Sequence, residues 1–112
     1  MEREFSATSV LTKEESPDIS MTIIKLKGLN RRVMNTTTTA CYVCIEGNVT
    51  FVIGEKDRLV IKHLKPGESI KIQSNTPYFD YSDDGVKMIA VNKKAFDPDS
   101  VIELPMLEGY TP

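Results

Sequence analysis

The sequence predicts an all-β domain, a small antiparallel β-barrel or jelly roll. Three observations predict it. Apolar and polar residues alternate over short runs rich in Val, Ile, Thr, Tyr and Phe. Turn residues separate these runs at intervals of roughly 8–12 residues, the spacing of sandwiches and barrels. No segment keeps a helical period over the ~10–12 residues that an α-helical reading requires.

The elements follow in order. Residues 1–19 are polar; Ser6, Thr8, Ser9, Ser16, Pro17 and Asp18 read as loop, with a short strand or turn around Val10-Leu11. Ser20 to Lys27 alternates and ends at Gly28. Residues 32–39 contain the run Thr36 to Thr39, read as a strand with a polar stretch because Thr is a strand former. Ala40 to Glu46 is a strand ended by Gly47-Asn48, and Val49, Phe51 and Ile53 alternate beyond it. Gly54 to Asp57 is a turn, and Leu59 to Leu64 a strand. Pro66-Gly67 is a tight turn, Pro pre-setting φ and Gly supplying φ > 0. Ser69 to Ile72 alternates, and Asn75 to Pro77 turns into Tyr78 to Tyr81. Asp83-Asp84-Gly85 reads as a hairpin before a strand from Val86 to Val91. Beyond Phe96 the chain is proline-rich, an extended arm with a short strand or helical turn near Val101 to Leu104.

A length of 112 residues suits one domain on the usual scale of ~100–200. The expected organisation is a single domain over 1–112, its core about 20–92, with 1–19 and 93–112 as extended arms, and a symmetric homodimer is the default assembly. With 14 basic and 16 acidic residues, the formal charge of −2 argues against a nucleic-acid partner, which needs a basic face. No apolar run approaches the ~18–20 residues of a membrane span, so no membrane partner is expected. Met1 to Phe5 has no apolar signal-peptide core, which makes the cytoplasm the expected compartment.

Cys41 and Cys44 form a C-x-x-C spacing. Redox pairs of this kind sit at a helix N-terminus, where the thiol pKa is lowered. Here the context is β-rich, and on a strand positions i and i+3 point to opposite faces. A zinc site lacks partners, because His63 is the only histidine. Both cysteines therefore read as small apolar residues. Arg31-Arg32 could hold a phosphate or carboxylate, or form a solvated face. Asp83, Asp84, Asp97 and Asp99 lack the calcium-loop pattern and read as turn residues.

Two spacings carry a family likeness. After Gly28 come Leu29 to Val33, then Met34-Asn35-Thr36, Thr37 to Thr39, Ala40, and Cys41 to Glu46 leading to Gly47. Later, Leu64-Lys65-Pro66-Gly67 is followed by Glu68 to Ile72, Gln73-Ser74-Asn75, Thr76-Pro77 and Tyr78. In these spacings residues 20–92 resemble the two motifs of the cupin superfamily, whose double-stranded β-helix is the fold the resemblance implies, together with a homodimer that exchanges its arms, 1–19 and 93–112. The family's metal ligands, three imidazoles and a carboxylate, would fall at Met34, Thr36, Ala40 and Tyr78. None of these supplies an imidazole or carboxylate, so the resemblance implies a chain with no metal and no cofactor.

If Met34, Thr36 and Ala40 point inward as their family counterparts do, strand parity also directs Tyr42 and Cys44 inward, and Asp80 follows Tyr78. A turn within Thr37 to Thr39 would break that inference. The candidate ligand-binding residues of the interior are thus Met34, Thr36, Ala40, Tyr42, Cys44, Tyr78 and Asp80; no catalytic residue is assigned. The leading expectation is a metal-free protein binding a small organic ligand, sugar-like or acid-like, in the barrel. The alternatives are a homodimeric interaction module with a filled barrel, and a metal-independent isomerase, epimerase or phosphorylase pairing Tyr78 with His63 or Asp80.

Overall fold

The computed structural model describes residues 3–55 and 57–110; Lys56 of the predicted Gly54–Asp57 turn lies outside them, as do Met1 and Glu2. The described residues form nine strands of one curled sheet: β1 (Glu4–Leu11), β2 (Ile19–Leu29), β3 (Val33–Asn35), β4 (Thr39–Gly47), β5 (Val49–Ile53), β6 (Val60–Leu64), β7 (Ser69–Ile72), β8 (Tyr78–Lys93) and β9 (Val101–Glu103). A single 3-10 turn, Pro98–Ser100, precedes β9. No helix among the described residues is long and apolar enough to cross a membrane.

β8 is the hub. It pairs antiparallel with β2, β3, β4 and β5, while β1 joins β2, β9 joins β3, β7 joins β4 and β6 joins β5. Its first residues pair with β5, Tyr78 with Ile53 and Asp80 with Phe51. Its last residues pair with β4, Ala90 with Tyr42 and Asn92 with Ala40. One strand thus serves both walls of the barrel, bringing Tyr78 and Asp80 to the same interior as Tyr42, Ala90 and Asn92.

Three expectations differ from the fold. The stretch Asp83-Asp84-Gly85 is not a hairpin: β8 continues through it unbroken, as a bulge. Leu26 pairs with Val86 and Gly28 with Ser82, so Lys27 alone faces the three bulged residues. Gly85 takes φ +104, its N–H donates to Ser82 Oγ at 3.0 Å, and the Ser82 hydroxyl donates to the Asn48 carbonyl at 2.6 Å. A hairpin would pair the two halves with each other; here each half has other strands to pair with. The threonine run is a turn, because the Asn35 carboxamide accepts from the Thr37 and Thr38 N–H groups at 3.2 and 3.0 Å. Finally, β1 is a full strand where the sequence reads as loop. It is exposed along almost its whole length, so burial imposes no alternation on it; pairing with β2 makes it a strand.

The packed core occupies one half of the barrel: Leu26, Cys44, Val49, Phe51, Leu64, Ile72, Val86 and Met88 are buried together, with Tyr42 and Tyr78 against them. Turn residues with left-handed backbone join the strands at the positions expected of them. Gly67 has φ +90, and Asn75, at φ 62, stands in the left-handed region that asparagine tolerates better than most residues. Gly47 has φ +78, and a Cβ there would lie 2.1 Å from the Gly85 carbonyl oxygen.

Replacing Gly47 by Ala therefore forces both a left-handed alanine and a backbone displacement at the bulge. Urea unfolding is expected to show a loss of at least ~2 kcal/mol. A midpoint unchanged from wild type would refute this account of the turn.

Candidate functional site

The other half of the barrel is open. A cavity of about 560 Å³ lies between the walls, within the usual range of roughly 300–1,000 Å³ for small-molecule sites. Ala40 and Ala90 leave its floor unfilled, and Ile24, Val33 and Val101 give it apolar sides. Phe5 of β1 and Phe96 and Pro98 beyond β8 form part of its rim.

An aromatic trio separates this space from the core. Phe51 sits 5.0 Å from the Tyr42 ring and 6.3 Å from the Tyr78 ring, centroid to centroid, and the tyrosine rings are 6.0 Å apart. The tyrosine hydroxyls meet at 2.5 Å, one donating to the other. The accepting hydroxyl keeps its own O–H free to donate. Burial, with Tyr78 and Asp80 nearby, holds the Tyr42 phenol well above its ordinary value. Burial likewise pushes Tyr78 up to about 12, against the lowering effect of its bond to Tyr42. At neutral pH both phenols are therefore hydrogen-bond donors rather than bases.

Asp80 is 4% exposed. Its Oδ1 accepts from Asn30 Nδ2 at 3.1 Å, and Asn30 Oδ1 accepts in turn from Arg3 Nη1 at 2.6 Å and from the Arg31 N–H at 2.9 Å. Burial raises the Asp80 carboxyl to about 6, with the Asn30 bond, a backbone bond and Arg3 pulling the other way. No second side chain among the described residues donates to this carboxyl. Arg31 extends outward to Glu103 at 3.2 Å, and both side chains are exposed.

Of the residues singled out from the sequence, Ala40, Tyr42, Tyr78 and Asp80 line this cavity. Met34, Thr36 and Cys44 do not. β3 presents Val33 and Asn35 to the cavity, while Met34 stands between them and pairs with Ile102. The Asn35 turn resets strand parity, so Met34 and Thr36 do not share the face of Ala40 that the resemblance implied for them. Thr36 is spent on the wall: its hydroxyl and its N–H both donate to the Ser100 carbonyl at 2.9 Å. Cys44 keeps the parity of Tyr42 but lies in the packed half, fully buried, and burial pushes its thiol up. Cys41 and Cys44 are free thiols.

Arg32 is buried rather than solvated. It donates to the Pro105 carbonyl at 3.2 Å and pairs with Glu55 at 3.3 Å, so it ties down the chain beyond β9. His63 is exposed on β6, its Nδ1 2.7 Å from Thr50 Oγ1, and does not line the cavity. The acid–base pairing of Tyr78 with His63 is therefore not formed. Asp97 caps the 3-10 turn through the Asp99 N–H at 3.0 Å. Sequence reasoning missed Asn30 and Asn92. For Asn92 a signal existed: Val86, Met88 and Ala90 set an inward parity that it continues.

A divalent metal does not fit these residues. At the positions where the cupin resemblance places ligands stand a thioether, a hydroxyl, a methyl and a phenol. No group of three His, Cys, Asp or Glu among the described residues could hold a metal ion. Phenols with raised pKa resist the ionisation that ligation requires.

No family model and no curated protein matches the sequence. Solved structures do match the fold. Oxalate decarboxylase from Bacillus subtilis superposes with a TM-score of 0.79 at 20% identity over 93% of this chain, which spans 29% of that one. Peruvianin-I, a cysteine peptidase from Thevetia peruviana latex, gives 0.75 at 16% identity over 92% of this chain and 68% of its own. HppE with cobalt(II) and substrate gives 0.68 at 16% identity, covering 79% of this chain and 51% of that one.

The buried carboxyl makes folding pH-dependent. Unfolded, Asp80 loses its proton near ~3.9; folded, it keeps it to about 6. Between those values the folded state binds more proton, so stability is full below ~4 and falls as the pH rises towards about 6. The loss expected is on the order of 2–3 kcal/mol relative to Asp80→Asn, read as the difference between their urea-unfolding free energies from pH 4 to 7. Parallel curves would show that Asp80 titrates as it does in water.

Proposed function

We propose that this chain, a protein of cupin fold, binds a small, neutral, hydroxyl-bearing organic ligand in its barrel without a metal. One observation carries the reading. The open half of the barrel holds a cavity of ligand size, and its polar groups are not self-satisfied. The Asp80 carboxyl has acceptor capacity to spare and the Tyr42–Tyr78 pair a proton to spare. Apolar walls with a few oriented polar groups are the usual make-up of a small-molecule site.

Charge argues for a neutral ligand over an acid. Arg3 is engaged by Asn30 and stacks over Phe5 at 5.0 Å, and Arg31 is engaged by Glu103. An anion would meet the Asp80 carboxylate, on which the nearest cation, Arg3, already acts. The cavity volume counts against a barrel filled by its own side chains. A symmetric homodimer is the assembly we propose, since β1 ends the sheet and leaves one strand edge unpaired.

Native mass spectrometry of gently purified, untagged protein tests this. The expected spectrum is a dimer carrying an extra organic mass. Ala40→Leu, which projects into the cavity, is expected to lose that mass and keep its melting temperature. Tyr78→Phe is expected to weaken retention roughly 3–10-fold by removing a buried hydrogen bond. Bare polypeptide from wild type and variant alike would count against binding, and a transition-metal mass of one per chain would overturn the metal-free reading.

A further inference from the structure

We propose that Asn92 selects the ligand, and that the group it selects is a vicinal diol, so that the ligand is a sugar or cyclic polyol of monosaccharide size. This rests on the binding role proposed above and specifies its ligand. Asn92 is 5% exposed, and what exposure it has faces the cavity. Its carboxamide has no hydrogen-bond partner among the described residues. Its ladder neighbours do not satisfy it. Ala40 has no polar side-chain atom, and the Ser20 hydroxyl accepts from the Phe96 N–H at 2.8 Å.

The amide is not sealed away: the sealed unpaired side-chain atoms among the described residues are Arg32 Nε and Thr38 Oγ1, whereas Asn92 keeps its polar end open to the cavity. Folded proteins pair nearly all their polar groups, so it bonds to whatever occupies that space. The partner that the geometry allows comes from the cavity. A carboxamide presents an acceptor and two donors side by side. Two adjacent hydroxyls match it, one donating to its oxygen and the other accepting from its nitrogen.

The remaining polar groups fit the rest of such a molecule. Asn92 and Ala40 lie one same-face step along β4 and β8 from Tyr42 and Ala90, a backbone distance of about 7 Å. That is close to the span of a six-membered ring with its hydroxyls. At the tyrosines the ligand meets one free O–H donor, and at Asp80 a carboxyl with acceptor capacity to spare. Between these poles, Ala40 and Ala90 offer a low apolar floor for the C–H face of a ring.

The test uses the full-length protein and named probes: D-glucose, D-xylose and myo-inositol, the deoxy counterparts of the two sugars, and uracil as a lactam competitor. Side-chain NH₂ signals of ¹⁵N-labelled protein report on Asn92 directly. At least one polyol is expected to shift the Asn92 pair. Removing one hydroxyl of its diol is expected to weaken binding by roughly tenfold or more. In Asn92→Leu and Asn92→Ala that difference is expected to vanish. Both variants are expected to unfold at the wild-type urea midpoint or above it, because they discard an unpaired polar group.

Lower stability in both variants would make Asn92 structural and overturn the proposal. Unchanged probe affinity in both would do the same. Binding of uracil alone, or of no probe while the purified protein still carries an organic mass, would overturn the diol and leave the binding role standing. Loss of the co-purified mass from wild type would strike the binding role itself.

Discussion

The constraint on which the rest depends is that one strand must pair with four others. β8 can do this only by changing direction without breaking its ladder. The Asp83–Gly85 bulge supplies the bend, and the Ser82 hydroxyl locks it by accepting from Gly85 and donating to Asn48. The same lock presses the Gly85 carbonyl against Gly47, leaving no room there for a side chain. The β4–β5 turn and the β8 bulge are thus a single joint. Because of it, residues at the two ends of β8 look into one interior.

The aromatic trio then decides how that interior is divided. Phe51 packs beneath both tyrosines, so the space on its side is filled with apolar groups and the space beyond the hydroxyls is not. A tyrosine suits this boundary because its body is apolar and its tip polar. The division also explains the titration behaviour. Asp80 is buried beside two phenols, and burial outweighs the help it receives from Asn30 and Arg3. A carboxyl that stays neutral into the mildly acidic range can donate as well as accept, which widens the hydroxylated groups it can meet.

Much of the fold was legible in the sequence, and the reason is local. Strands buried on one face, such as Ser20 to Lys27 and Ala40 to Glu46, announce themselves by alternation. Turns such as Pro66-Gly67 announce themselves by φ requirements. The failures share one cause, too. β1 has almost no buried face, so nothing in its composition marks it. The Asp-Asp-Gly bulge and the threonine run contain residues that suit several conformations, and long-range pairing chose among them. Asn35 illustrates the cost. By capping Thr37 and Thr38 it shifts parity by one residue, and Met34 gives way to Val33 and Asn35 in the cavity. Tyr78 is placed by the resemblance, and Tyr42 and Asp80 follow by parity from Ala40 and Tyr78; with no such turn in between, all three line the cavity. Asn92 was within reach of the same counting, but a polar residue at the end of an apolar run reads as the strand's edge.

The cavity has walls of unequal strength. Its floor belongs to the central ladder of β4 and β8, which can open only with the barrel itself. Its rim comes from β1 and from the segment between Phe96 and Glu103, which polar ties at the surface help to fasten: Arg3 to Asn30, Lys13 to Asp97 and Arg31 to Glu103. Exposed ties of this kind are individually weak and are screened by salt. Fraying of the rim costs less free energy than unfolding. The rim is therefore the part of the cavity that opens first, while the floor stays in place.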